Sequence, residues 1–85
     1  MRDKYLVRLE NECREALKVA YDLMIDCEFS QLKAYGYAED LLEGMFNALM
    51  ALQLFEYLDL IRYYKAVCRN RRYKEIDDKI KAWKK

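Results

Sequence analysis

Histidine and proline are absent from these 85 residues, glycine occurs only at Gly36 and Gly44, and serine only at Ser30. Without histidine the commonest general base and metal ligand is gone. No zinc site can be completed around the cysteines, and the Glu-x-x-His motif of a helical di-iron centre cannot be written. Ser30 has no imidazole to activate it, and no glycine-rich phosphate loop exists. The paired carboxylates Glu39-Asp40 and Asp77-Asp78 are sequence neighbours, which point to different faces of a helix. These absences lead to the expectation of a protein that is not an enzyme and carries neither metal nor cofactor.

Cysteine is scarce too: Cys13, Cys27 and Cys68, an odd number without CxxC spacing. Cys13 and Cys27 sit 14 residues apart on one expected helix. That spacing separates them by ~21 Å and prevents a bridge between them. The expectation is reduced, buried thiols, with Cys68 beside Arg69 the nearest approach to a redox-sensitive one. Long apolar runs are missing as well. The longest uncharged stretch, Gly44 to Phe55, has 12 residues, whereas a bilayer span takes about 20. A soluble, cytoplasmic protein without a membrane span is expected.

Hydrophobic residues make up 54% of the chain and charged ones 36%, enough apolar content for a folded single domain with a thin core. The shortage of turn formers favours helices over strands. From Asp3 to Cys27 a heptad runs through Leu6, Cys13, Ala20 and Cys27, with Leu9, Ala16 and Leu23 at its second position and Leu17 and Met24 widening the stripe. Ser30, as a helix cap, and Gly36 are the two candidate turns. A second long helical stretch is expected from Ala38 to about Arg69, with a candidate break between Gln53 and Tyr57. Within it Tyr57, Ile61, Tyr64 and Cys68 continue an apolar stripe. The fold class is all-α, a helical hairpin or three-helix bundle, with homodimerisation as a route to a four-helix-type bundle. Residues 1–76 form the expected single domain. Residues 77–85 are read as a basic C-terminal extension or short helix, capped by Asp77 and carrying Ile76, Ile80 and Trp83 as its apolar face.

The net charge of +1 hides a strong asymmetry. Residues 1–61 hold six basic and twelve acidic residues, a net of −6; residues 62–85 hold ten and three, a net of +7. Arg62, Lys65, Arg69 and Arg72 fall within about 80° of a helix surface. Arg71, Lys74, Lys79, Lys81, Lys84 and Lys85 extend the patch, with Tyr63, Tyr73 and Trp83 interleaved. Arginines beside aromatics are what a phosphate backbone and unstacked bases meet. The plainer reading is a solvated chain end, or cations facing the acidic patch Asp22, Asp26, Glu28, Glu39, Asp40 and Glu43, within one chain or across an antiparallel dimer.

Around Gly44 to Phe55, apolar residues point in nearly every direction, so Met45, Phe46, Leu49, Leu52 and Phe55 are candidates for self-association into a homo-oligomer. The eight tyrosines outnumber the places in a thin core and favour a partner surface. The functional expectation is a small macromolecule-binding protein, foremost a protein-binding regulator, adaptor or inhibitor of the kind found among phage and mobile-element accessory proteins. The rivals are a nucleic-acid binder using the basic patch and a structural self-assembling subunit.

Overall fold

Turns settle where helix ends can be satisfied, not where glycine stands. The computed structural model describes residues 3–84, and among them the chain forms α1 (Lys4–Cys27), α2 (Gln31–Ala51), α3 (Leu58–Arg69) and α4 (Tyr73–Trp83), with one 3-10 turn, Phe55–Tyr57, leading into α3. Asp3 caps α1 by accepting the Tyr5 amide at 2.8 Å, and Ser30 caps α2 by accepting the Lys33 amide at 3.1 Å. Three links carry a left-handed residue, and none of the three is glycine: Glu28 (φ 58°), Gln53 (φ 59°) and Arg71 (φ 56°). At the end of α2 the Gln53 amide donates to the Met50 carbonyl and the Leu54 amide to that of Leu49, closing the helix firmly. Of the two candidate turns, then, Ser30 is the turn and Gly36 lies inside α2. The candidate break near Gln53 to Tyr57 is a real one.

The architecture is all-α, as expected, but the chain itself supplies four helices. α2 lies at the centre, packed antiparallel to α1 on one side and against α3 on the other, and α4 returns to close against α1. The molecule measures 37 × 26 × 19 Å. The core takes Cys13, Ala16, Leu17 and Ala20 from α1, Ala34, Tyr35, Ala38 and Leu42 from α2, Ile61, Tyr64, Val67 and Cys68 from α3, and Ile76 and Ile80 from α4. The small residues facing one another across α1 and α2 let these helices approach closely. The heptad seam holds through its middle and fails at its end, where Cys27 is exposed.

The last segment differs from its expectation. The boundary drawn at residue 76 falls inside α4, and Ile80 is as fully buried as Ile76. One helical turn apart, these two isoleucines gain more from burial than the surrounding lysines lose by lying on a packed helix. Asp77 is not a cap, since α4 starts after Arg72 with no side-chain cap. Its carboxylate instead accepts the Tyr35 hydroxyl through Oδ1 and the Gln31 Nε2 amide at 3.2 Å through Oδ2, joining α4 to α2. Tyr73 stacks on Tyr35 with ring centroids 5.6 Å apart. Arg14 of α1 bonds Glu10 at 2.7 Å and lies over the Trp83 ring at 5.0 Å, fixing the far end of α4.

Ile80→Ala is therefore expected to lower unfolding free energy by about 2–5 kcal/mol in urea titration, as a core truncation does. A solvated extension would lose less than about 0.5 kcal/mol. Burial pushes the Tyr35 hydroxyl well above its ordinary 10.0 and the Cys13 and Cys68 thiols from 9.0 up to about 12. Groups whose folded values are raised stabilise fully below their unfolded values and lose that contribution as pH climbs past them. Stability should accordingly fall from about pH 9 upward. The alkaline slope should be shallower in Tyr35→Phe than in the parent.

Candidate macromolecule-binding surfaces

A basic stripe is a binding surface only if its charges are free, and most of this one is engaged within the chain. α3 lies beside α2 so that Arg69 Nε donates to Glu39 Oε1 at 3.0 Å and Lys65 pairs with Glu43. Arg62 pairs with Asp59 on its own helix at 3.1 Å, and Arg72 reaches Glu75 at 3.8 Å. Arg62 and Lys65 also sit over the Phe46 ring, at 5.5 and 4.7 Å from its centroid. The acidic first half and basic second half of the chain thus meet across the α2–α3 seam. Each exposed pair contributes little by itself, on the order of 0–1 kcal/mol. Together they set which side of α3 faces α2.

What remains open of the basic patch is its far end. Arg71, in the left-handed turn, and Lys74, at the start of α4, are exposed and hold no ion pair among the described residues. They border a shallow depression with Arg72, Tyr73, Lys79 and the acids Glu75 and Asp78. α4 carries three lysines against three acids, so it is not a basic helix. Tyr63 is exposed and edge-on to buried Tyr64, with centroids 5.2 Å apart, whereas Tyr73 is half-buried on Tyr35. Of the two candidate binding tyrosines Tyr63, 49% exposed, is the more open.

The candidate self-association set divides in the same way. Met45, Phe46 and Leu49 pack partly buried against the core, Phe46 beneath the cations of α3. Leu52 and Phe55, in the link after α2, are 68% and 56% exposed. The segment therefore has fewer open faces than its composition suggests, because α1 and α3 cover two of them.

A feature not read from the sequence lies beside that link. Tyr5, Arg8, Leu9 and Glu12 of α1 form one wall of an apolar groove of about 430 Å³, and Leu49, Leu54 and Tyr57 form the other. The Tyr57 hydroxyl donates to Asp3 Oδ2 at 2.8 Å, pinning the 3-10 turn to the start of α1 and so tying the two walls together. That bond, followed by the Tyr5 amide, holds the Asp3 carboxyl below its ordinary range. Tyr5, 64% exposed, stands at the rim. The one signal in the sequence was the uncharged run ending at Phe55, which shows neither the break nor what lies across from it.

The cysteines depart from the expectation of three buried thiols. Cys13 and Cys68 are buried and Cys27 is exposed. Cys68, singled out beside Arg69, is held protonated, up to about 12, by burial and then by the Glu39 charge. Thiol titration of the native protein near neutral pH is expected to find one group reacting rapidly, Cys27, and all three only after denaturation. Fast labelling of Cys68 would contradict this burial. Among the described residues no group of three potential metal ligands comes together, and no helix is long and apolar enough to cross a membrane.

No protein-family model matches the chain, and no curated protein or solved structure matches it either.

Proposed function

We propose that the chain is a non-catalytic protein-binding module whose principal contact is the apolar end of the molecule, where the start of α1 meets the link between α2 and α3. The observation that carries this reading is the groove lined by Tyr5, Leu9, Leu49, Leu54 and Tyr57, with Tyr5 64% exposed at its rim and Phe55 exposed in the link that carries Leu54. Its volume, about 430 Å³, falls within the ~300–1,000 Å³ range of ligand pockets and suits one or two bulky side chains of a partner. Aromatic anchors around a concave apolar site are the usual centre of a protein interface, with charged groups at the rim. Arg8 and Glu12, one helical turn apart on the same wall, supply a rim of both signs. A stoichiometric regulator, adaptor or inhibitor needs no more machinery than this.

The nucleic-acid reading draws on a smaller surface than the sequence suggested, since Lys65 and Arg69 bind carboxylates of α2, while Arg71 and Lys74 hold no ion pair among the described residues. The two readings separate cleanly by substitution. In affinity capture from cells that naturally make the protein, a partner retained in stoichiometric amount should fall at least about tenfold with Tyr5→Ser or Phe55→Ser, the loss typical of one hot-spot residue. It should be unaffected by Arg71→Glu with Lys74→Glu. Loss only in the charge-reversed variant, together with salt-sensitive binding to labelled DNA or RNA, would overturn the protein-binding reading in favour of nucleic acid.

A further inference from the structure

α4 joins the bundle against the local preference of the chain that leads into it. α1 and α2 start on the side-chain caps Asp3 and Ser30, but no side chain caps the start of α4, so its first amides are left to water. Arg71, Arg72 and Lys74 crowd that start, where the helix dipole disfavours cations. Arg71 holds a left-handed φ of 56°, which a residue with a side chain rarely adopts. Nothing in the link forbids a helix: arginine is a good helix former, and neither glycine nor proline stands between Ala66 and Trp83. Asn70, at φ −77° and ψ 0°, already stands beside the helical region. Turning Arg71 and Arg72 alone would carry α3 straight into α4. The orphan amides would then meet the carbonyls of residues 69–71, and Arg71 would lie one turn from Glu75.

What bends the chain back is tertiary. Among the described residues the hydrogen bonds and ring contacts that α4 and its C-cap Lys84 make to other helices run from Asp77 to Tyr35 and Gln31, from Tyr73 to Tyr35, from Trp83 to Arg14, and from Lys84 to Asp22 and Tyr21. All of these lie on α1 or α2 and none on α3. The polar and aromatic part of the seat is therefore built by α1 and α2, and it fits the α4 of any copy of the chain. We propose that the protein dimerises by exchanging α4. In the exchanged form Leu58 to Trp83 is one helix, ~39 Å long, and Ile76 and Ile80 of each copy fill the core of the other. The contacts of α4 with α1 and α2 are kept, now made between copies, while the conflict in the link is removed. Exchange needs no surface that the single chain leaves open. The groove, built by α1 and the link before α3, is untouched, so an exchanged dimer carries two of them.

The unsubstituted chain is unfolded in guanidinium and refolded at ~1 mM, the order of the effective concentration that a short link gives α4 within its own chain, and in parallel at ~1 μM. Sedimentation should show a species of twice 10.3 kDa after the concentrated refolding and of 10.3 kDa after the dilute one. The dimer should outlast dilution, since α4 has to leave its seat first. A chain that stays monomeric after the concentrated refolding overturns the proposal. Cross-linking separates exchange from contact through an outer face. Asp22→Cys and Lys84→Cys are placed on separate chains, each in a Cys27→Ser background in which Cys13 and Cys68 are buried, and the two are refolded together at high concentration. A short bismaleimide should join them, because exchange seats Lys84 of one copy beside Asp22 of the other. A dimer without that cross-link would overturn the proposal too. Arg71→Gly relieves the left-handed turn and weakens the continuous helix, so it should lower the association constant at least about tenfold for each of the two links. Glu28→Gly, at a left-handed turn that both forms keep, should leave that constant unchanged, and an equal loss in both variants counts against exchange. Tyr5→Ser and Phe55→Ser should leave dimerisation intact, so exchange and the groove can fail separately.

Discussion

A tyrosine hydroxyl removed from water needs a partner in the protein, and Tyr35, 1% exposed at the centre of the bundle, finds it in Asp77. The bond joins residues 42 positions apart and ties the last helix to the central one. With Tyr73 stacked on the same ring and Ile76 and Ile80 closing over the core, α4 becomes the fourth wall of the bundle. Without α4, Tyr35 would have lost both its acceptor and its cover. The last helix is thus held by a polar contact that desolvation makes consequential, while its lysines stay at the surface.

The charge asymmetry along the chain acts at a second level. α2 offers Glu39 and Glu43 on the side where α3 offers Lys65 and Arg69, and the two helices meet with opposite signs facing. Hydrophobic burial alone would leave the rotation of α3 loosely determined, because Leu58, Ile61, Tyr64, Val67 and Cys68 form a broad apolar stripe. The ion pairs and the Phe46 ring beneath two of the cations favour one rotation over its neighbours. Charge that resembles a ligand surface in one dimension becomes internal alignment in three, leaving Arg71 and Lys74 among the cations that face solvent unpaired.

The periodicity of α1, the cap at Ser30 and the apolar stripe of α3 were legible because each depends on residues close in sequence. The groove was not, because Tyr5 and Tyr57 are joined only when the 3-10 turn bonds Asp3. The role of Asp77 was misread for a related reason: an acidic residue before an apolar periodicity looks like a cap until its tertiary partner is known. Glycine misled at Gly36, since the left-handed positions fell to Glu28, Gln53 and Arg71, whose helix-end hydrogen bonds offset the modest strain of that conformation.

The sizes of the side chains inside and outside connect the fold to its surfaces. Across the α1–α2 seam the buried positions are largely alanine and cysteine: Cys13, Ala16, Ala20, Ala34 and Ala38. Small residues draw two helices together and leave little room between them for large ones. Tyr5, Leu41, Leu52 and Phe55 consequently lie outside, on a chain whose core would have gained from burying them. Scattered exposed leucines need no explanation in a protein of this size. Here, however, exposed Tyr5 stands with Leu9, Leu49, Leu54 and Tyr57 around one groove with aromatic walls. An arrangement that seats small residues across the α1–α2 seam and leaves large ones outside gives up core stability in this chain.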